Sequence, residues 1–134
     1  MREIEWPVRV YLEDTDAQGV VYNASYFRFL ERARTEWLRA RGLDHDDVLR
    51  RHGVLFVLTG IDARFRAPAR LGDLLHVSAH VSEARGARVV FDQRIRLADS
   101  GVLLCEGRAE VACMDAARGK PRRWPEDLRV EWVK

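Results

Sequence analysis

Hydrophobic and polar residues begin to alternate near the start of the chain. Val8, Val10 and Leu12 fall on one side, with Arg9 and Tyr11 on the other, which predicts a half-buried strand over 8–12. Pro7 suits a strand start or a sheet edge. Glu13-Asp14-Thr15-Asp16-Ala17-Gln18-Gly19 then breaks the alternation with a carboxylate-rich loop. Beyond it the period lengthens. Tyr26, Leu30, Ala33 and Trp37 stand at i, i+4, i+7 and i+11, one face of a helix over about 24–41. Phe27, Phe29 and Leu38 widen that face. Asn23 is a suitable N-cap and Gly42 a suitable stop. A short helical turn is expected over 46–51, closed by Gly53.

After Gly53 the period is two. Val54–Leu58 is a short apolar run, and Ile61, Ala63, Phe65 and Ala67 then alternate with Asp62, Arg64 and Arg66. Residues 68–73 form a connector. Leu75, Val77, Ala79 and Val81 define the next strand, and Val89, Phe91, Ile95 and Leu97 the one after, with Gln93 the exception on its face. Asp99-Ser100-Gly101 reads as a hairpin turn, and 102–114 as a last long strand in which Gly107 marks a bulge or a close approach. A basic turn and a polar tail finish the chain. A strand, a long helix and then an antiparallel meander make an α+β protein rather than a doubly wound sheet. The expected architecture is a sheet of about five strands wrapped around one long helix, a single domain over 1–134. Its open edges and exposed face would be covered by dimerisation.

Length and composition narrow the function. A chain of 134 residues is one ordinary domain. Its 47% apolar content supports a core and excludes disorder, while its 33% charged content and the lack of a long apolar run argue against a membrane span. Residues 1–6 show no apolar leader, so the cytoplasm is the expected compartment. Net charge is +2, with the signs mixed along the chain, which does not suit a nucleic-acid partner. Arg118, Lys120, Arg122 and Arg123 form a local basic turn that reads either as a solvated turn or as a grip for phosphate.

Cys105 and Cys113, eight residues apart, would lie about 26 Å apart on one extended strand and could not bridge, so buried reduced thiols are expected. No zinc spacing is present, and His76 and His80 would stand about 13 Å apart on one strand face, so no metal is expected. There is no nucleophile elbow, no phosphate-cradling loop and no dinucleotide fingerprint.

The chemistry concentrates before the long helix. Glu13, Asp14 and Asp16 share one loop that leads through Gly19 and Val20-Val21-Tyr22 into the helix. A helix start carries N–H groups without intrahelical acceptors and a positive dipole end, which suit a developing oxyanion. A carboxylate beside it can act as base or nucleophile. The arrangement fits an acyl-transfer site; it also fits a carboxylate-rich turn that merely caps a helix. Asp14 and Asp16, two apart, should point to opposite sides, and Asp14 reads as the structural one. Glu31 reads as an ion-pair residue, with Arg28 or Arg34 as partner.

The segment from Glu13 to Tyr26, with Glu31-Arg32-Ala33-Arg34, closely resembles the hotdog-fold acyl-CoA thioesterases, specifically the 4-hydroxybenzoyl-CoA thioesterase family and within it the Tol-Pal-associated (YbgC-type) enzymes. The resemblance extends through residues 67–73 and 90–95 and so covers nearly the whole chain. It implies a hotdog fold and an acyl-CoA thioesterase that needs no cofactor. Asp16 matches the catalytic carboxylate, Gly19 the loop glycine, and the backbone N–H of Asn23 the donor that polarises the thioester carbonyl. YbgC-type relatives often carry histidine where this chain has Asn23, so any role of that imidazole is absent here.

Tyr22 and Tyr26 are read as core or as the mouth of an acyl channel, and Arg64 and Arg66 stand among the cations available to CoA phosphates. The resemblance also implies a homodimer or homotetramer, with an acyl carrier protein as a further partner. The alternatives are a non-catalytic acyl-binding protein, which would not need Asp16, and a hydratase or dehydratase, which would want a histidine beside the helix.

Overall fold

The computed structural model describes residues 3–133, with side chains through Trp132; Met1, Arg2 and Lys134, included in the expected domain, lie outside the described residues. Strand β1 (Ile4–Arg9) is followed by a 3-10 turn at Leu12–Asp14, helix α1 (Asn23–Arg39), helix α2 (His45–His52) and strands β2 (Val54–Phe65), β3 (Leu74–Arg85), β4 (Arg88–Leu97) and β5 (Leu103–Asp115). Helix α3 (Glu126–Arg129) and a 3-10 turn at Val130–Val133 end the described chain. The strands form one five-stranded sheet in the order β1-β3-β4-β5-β2, every pairing antiparallel. β1 and β2 are therefore its edges, and Pro7, which has no N–H to give a ladder, sits on edge strand β1.

The first strand lies earlier than the 8–12 expected from alternation. Ile4 to Arg9 pair with Ala79 to Leu74, whereas Val10 bonds the β2–β3 connector, its N–H donating to Asp73 and its carbonyl accepting from Gly72. Leu12 is 75% exposed, so the alternation ends at Val10. The two apolar runs expected on either side of Thr59-Gly60 are one strand, β2, with a register irregularity between Leu58 and Gly60.

α1 packs on the sheet as its periodicity predicts: Tyr26, Phe29, Leu30, Ala33, Trp37 and Leu38 are buried. It begins one residue earlier and ends two residues sooner than expected. Tyr22 is the N-cap, with no side-chain cap bond, and Asn23 is the first helical residue rather than the cap. Gly42 takes the left-handed φ of 72° that ends this region. Gly107 on β5 is a close approach: a Cβ there would stand 2.9 Å from Leu30 Cδ1.

Gln93, the polar exception on β4, faces α1. Its amide donates to the Leu30 carbonyl at 2.9 Å and its carbonyl accepts from Arg34 at 3.0 Å. This satisfies two buried polar side chains at the helix–sheet contact. Burial pushes the Arg34 guanidinium below its ordinary value, with the nearby Glu31 opposing the shift.

The tail is not simply polar. Trp124, Leu128 and Trp132 are buried, and Trp132 stacks on Trp37 with ring centroids 5.9 Å apart. Cys105 and Cys113 share the helix-facing side of β5 as free, buried thiols, each pushed up to about 11 chiefly by burial. Among the described residues no helix is long and apolar enough to cross a membrane, and no cluster of histidine, cysteine and carboxylate side chains has the form of a metal site.

Candidate active site

The acid loop folds into a small hairpin. The Asp16 N–H donates to the Val20 carbonyl at 2.9 Å, the Gly19 N–H to the Asp16 carbonyl at 3.1 Å, and the Tyr22 N–H to the Asp14 carbonyl at 2.9 Å. Gly19 closes the turn at φ 80°, a conformation that disfavours any side chain. The outer strand of the hairpin leans on the β2–β3 connector, where the Val21 N–H donates to the Ala69 carbonyl at 2.9 Å.

Two residues apart, Asp14 and Asp16 have opposite surroundings. Asp14 is buried; Oδ2 accepts from the Tyr11 N–H at 2.8 Å, and Oδ1 lies 3.4 Å from Arg28 Nη2. Asp16 is exposed near the hairpin tip, where Oδ1 accepts from the Gln18 N–H at 2.8 Å. One acid thus builds the loop, and the other presents its carboxylate to whatever approaches.

The loop leads directly into α1. Asn23, first in the helix, has no intrahelical acceptor for its N–H and stands at the positive end of the dipole. Beside it Tyr22 is 56% exposed. Tyr26 is buried, and its hydroxyl accepts from the Ala69 N–H at 3.1 Å. Burial raises the Tyr26 hydroxyl above its ordinary value, partly offset by that hydrogen bond. Phe65 packs on Tyr26 and Phe27 with ring centroids 5.4 and 6.4 Å apart, so the end of β2 adjoins the helix start.

Not every anticipated residue joins this group. Arg64 on β2 and Arg66 just beyond its end flank Phe65 and, by alternation, lie on the sheet face away from α1. Arg66 grips Glu106 through Nε and Nη2 at 3.1 and 2.8 Å, and this bond holds the Glu106 carboxyl below its usual range. Arg64 lines a cavity of about 450 Å3 on that outer face together with Asp62, His80, Arg94, Glu106 and Arg108.

The basic turn lies at the far end of the sheet. Its Lys120 carbonyl accepts from the Asp115 N–H, and the Arg122 guanidinium donates to the His52 carbonyl. The partners expected for Glu31 are engaged elsewhere: Arg28 pairs with Asp14, and Arg34 bonds Gln93. Ser25 was not anticipated from the sequence. Its hydroxyl donates to the Asp14 carbonyl at 3.1 Å, and its three-residue spacing from Arg28 on one helix face was the only available signal.

A five-stranded antiparallel sheet wrapped on one long helix, with an acid loop delivered to the helix start, defines a hotdog-fold protein. The thioesterase-like superfamily profile matches residues 10–132, and the chain belongs to that family. It is similar to the acyl-CoA thioester hydrolase YbgC of Escherichia coli O6:H1, 44% identical over 127 residues that cover 95% of this chain and 93% of that protein. The acyl-CoA thioesterase YbgC of Haemophilus influenzae is 41% identical over 93% of this chain and 90% of its own. The crystal structure of a 1,4-dihydroxy-2-naphthoyl-CoA thioesterase from Synechocystis matches the fold with a TM-score of 0.91 at 26% identity, over 99% of this chain and 97% of that one.

Proposed function

We propose that the protein hydrolyses acyl-CoA thioesters to the free acid and CoA thiol. The observation that carries this reading is the exposed Asp16 carboxylate on a hairpin that runs directly into the first turn of α1. The 44% identity to a protein named as an acyl-CoA thioester hydrolase supports it. The thioester carbonyl points at the helix start, where the Asn23 N–H stabilises the oxyanion. Losing one such donor typically costs about 2.7–4 kcal/mol of transition-state stabilisation. Asp16 acts as nucleophile, through a mixed anhydride, or as the base that activates water. CoA thiolate is a good leaving group, so no general acid is required, and no cofactor takes part.

Gly19 keeps the loop tight beside the substrate. Tyr22 and Tyr26 line the approach, and Arg64 and Arg66 supply cations for the phosphate-bearing end of CoA. A second copy covers the open edge of β2 in a homodimer or homotetramer. An acyl carrier protein is a further thioester donor. The protein acts in the cytoplasm, where its free thiols stay reduced.

The test is thiol release from a panel of acyl-CoAs by wild type and Asp16→Asn, with a no-substrate control for Cys105 and Cys113. Turnover that disappears in a folded Asp16→Asn protein is the expected result. Wild-type turnover that survives the substitution removes Asp16 from the chemistry. Binding of acyl-CoA without turnover in wild type favours a non-catalytic acyl-binding protein. Single turnover in oxygen-18 water tests the anhydride route: label in Asp16 requires an anhydride opened at the Asp16 carbonyl, because general-base hydrolysis leaves Asp16 unlabelled.

A further inference from the structure

Asp16 and Asn23 are each two residues from a side chain that ties their two segments together. Two residues before Asp16, the Asp14 carbonyl accepts from the Tyr22 N–H and from Ser25 Oγ. Two residues after Asn23, Ser25 is 1% exposed, and its Oγ also accepts from Arg28 Nη2 at 2.9 Å. Arg28 reaches Asp14 Oδ1 as well, at 3.4 Å. One guanidinium, one hydroxyl and one aspartate thus close a small ring across the junction of hairpin and helix.

The geometry points to Arg28 and Ser25 as positioning residues for the reaction: with Asp14 they form a clamp that sets the distance between the Asp16 carboxylate and the Asn23 N–H. This rests on the assignment of those two groups under the proposed function. The Asp14 side chain is only 5% exposed, and a carboxylate so placed needs a counter-charge. Arg28 supplies it from the helix, and its own side chain, 52% exposed, keeps much of its hydration. Without Arg28, Asp14 gains stability by turning toward water, and this draws on the loop strand that carries Asp16. Without the Ser25 hydroxyl, the Asp14 carbonyl loses its bond to the helix side chain, and the junction keeps the Tyr22–Asp14 backbone bond and the 3.4 Å contact of Arg28. Displacing a catalytic group by about 1 Å can cost about 100-fold in rate.

The test compares wild type, Ser25→Ala, Arg28→Met and Arg28→Lys on the best acyl-CoA, well below each protein's Tm. We expect kcat to fall about 10- to 100-fold in Ser25→Ala and Arg28→Met, with KM within about twofold, and Arg28→Lys to recover most of the loss. A folded Ser25→Ala or Arg28→Met protein with wild-type kcat overturns the clamp, and so does a loss confined to KM. Ser25→Ala removes a single buried oxygen and keeps the test open if Arg28→Met does not fold. Asp16→Asn in the same series separates two failures: its activity sinks the Asp16 assignment, while an inactive Asp16→Asn beside fully active clamp variants sinks the clamp alone.

Discussion

Gly107 is a residue defined by what lies opposite. Its neighbours on the helix-facing side of β5, Cys105 and Ala109, carry side chains, but a methyl at 107 would press within 2.9 Å of Leu30 Cδ1. Leu30 is fully buried, so its side chain gives way only by repacking against its core neighbours. Gly107→Val is therefore expected to destabilise the protein by about 1–3 kcal/mol, read as a lower midpoint in urea with little change in slope. An unchanged midpoint would mean that the Leu30 side chain or the helix gives way at no cost. Asp14 and Asp16 teach the same lesson. Their spacing says that they face opposite ways, and burial beside Arg28 decides which one builds the loop. Gln93 looks like an error in an apolar strand until the Leu30 carbonyl and Arg34 are seen above it.

Among the elements, β5 carries a pH dependence. Both of its thiols have folded-state values raised to about 11, chiefly by burial, from an ordinary value near 9. Above that ordinary value the unfolded chain gives up thiol protons that the folded chain retains, so stability is fully present below about pH 9 and is lost as pH rises toward 11. Two units correspond to about 2.7 kcal/mol for one thiol at most. Cys105→Ala should flatten the fall in stability between pH 9 and 11 relative to wild type, measured by urea unfolding at several pH values. Parallel curves would deny the thiol that role. α1 and the acid loop are continuous: the hairpin ends where the helix begins, and the Tyr22 N–H and the Ser25 hydroxyl both donate to the Asp14 carbonyl. The C-terminal segment, a polar tail by sequence, is instead pinned by Trp124 and Trp132 against Trp37 and Phe56.

For the whole molecule, the question is what covers β2. It is an edge strand with unpaired backbone groups, and Leu55, Leu58 and Phe65 on it are 40–47% exposed. Leu58→Glu should shift the protein toward monomer in sedimentation at micromolar concentration, whereas a wild type that is already monomeric would deny the edge a partner. Much of the molecule was legible in its sequence. The period of 3.6 over Tyr26 to Trp37 and the period of two from Ile61 onward determined a helix and an antiparallel meander, because burying one face of each element requires those spacings. The acid loop and helix start were legible because they are contiguous in the chain, so local sequence alone brings them together. What only the tertiary structure decided involves residues far apart in sequence. Val10 leaves the ladder for the β2–β3 connector, Arg64 and Arg66 turn to the face away from α1, and Trp132 returns to Trp37. Asp14 is tied to the Ser25 and Arg28 side chains, beyond the reach of loop periodicity. A periodic pattern records which face of an element is buried; which partner buries it is settled only when the elements meet.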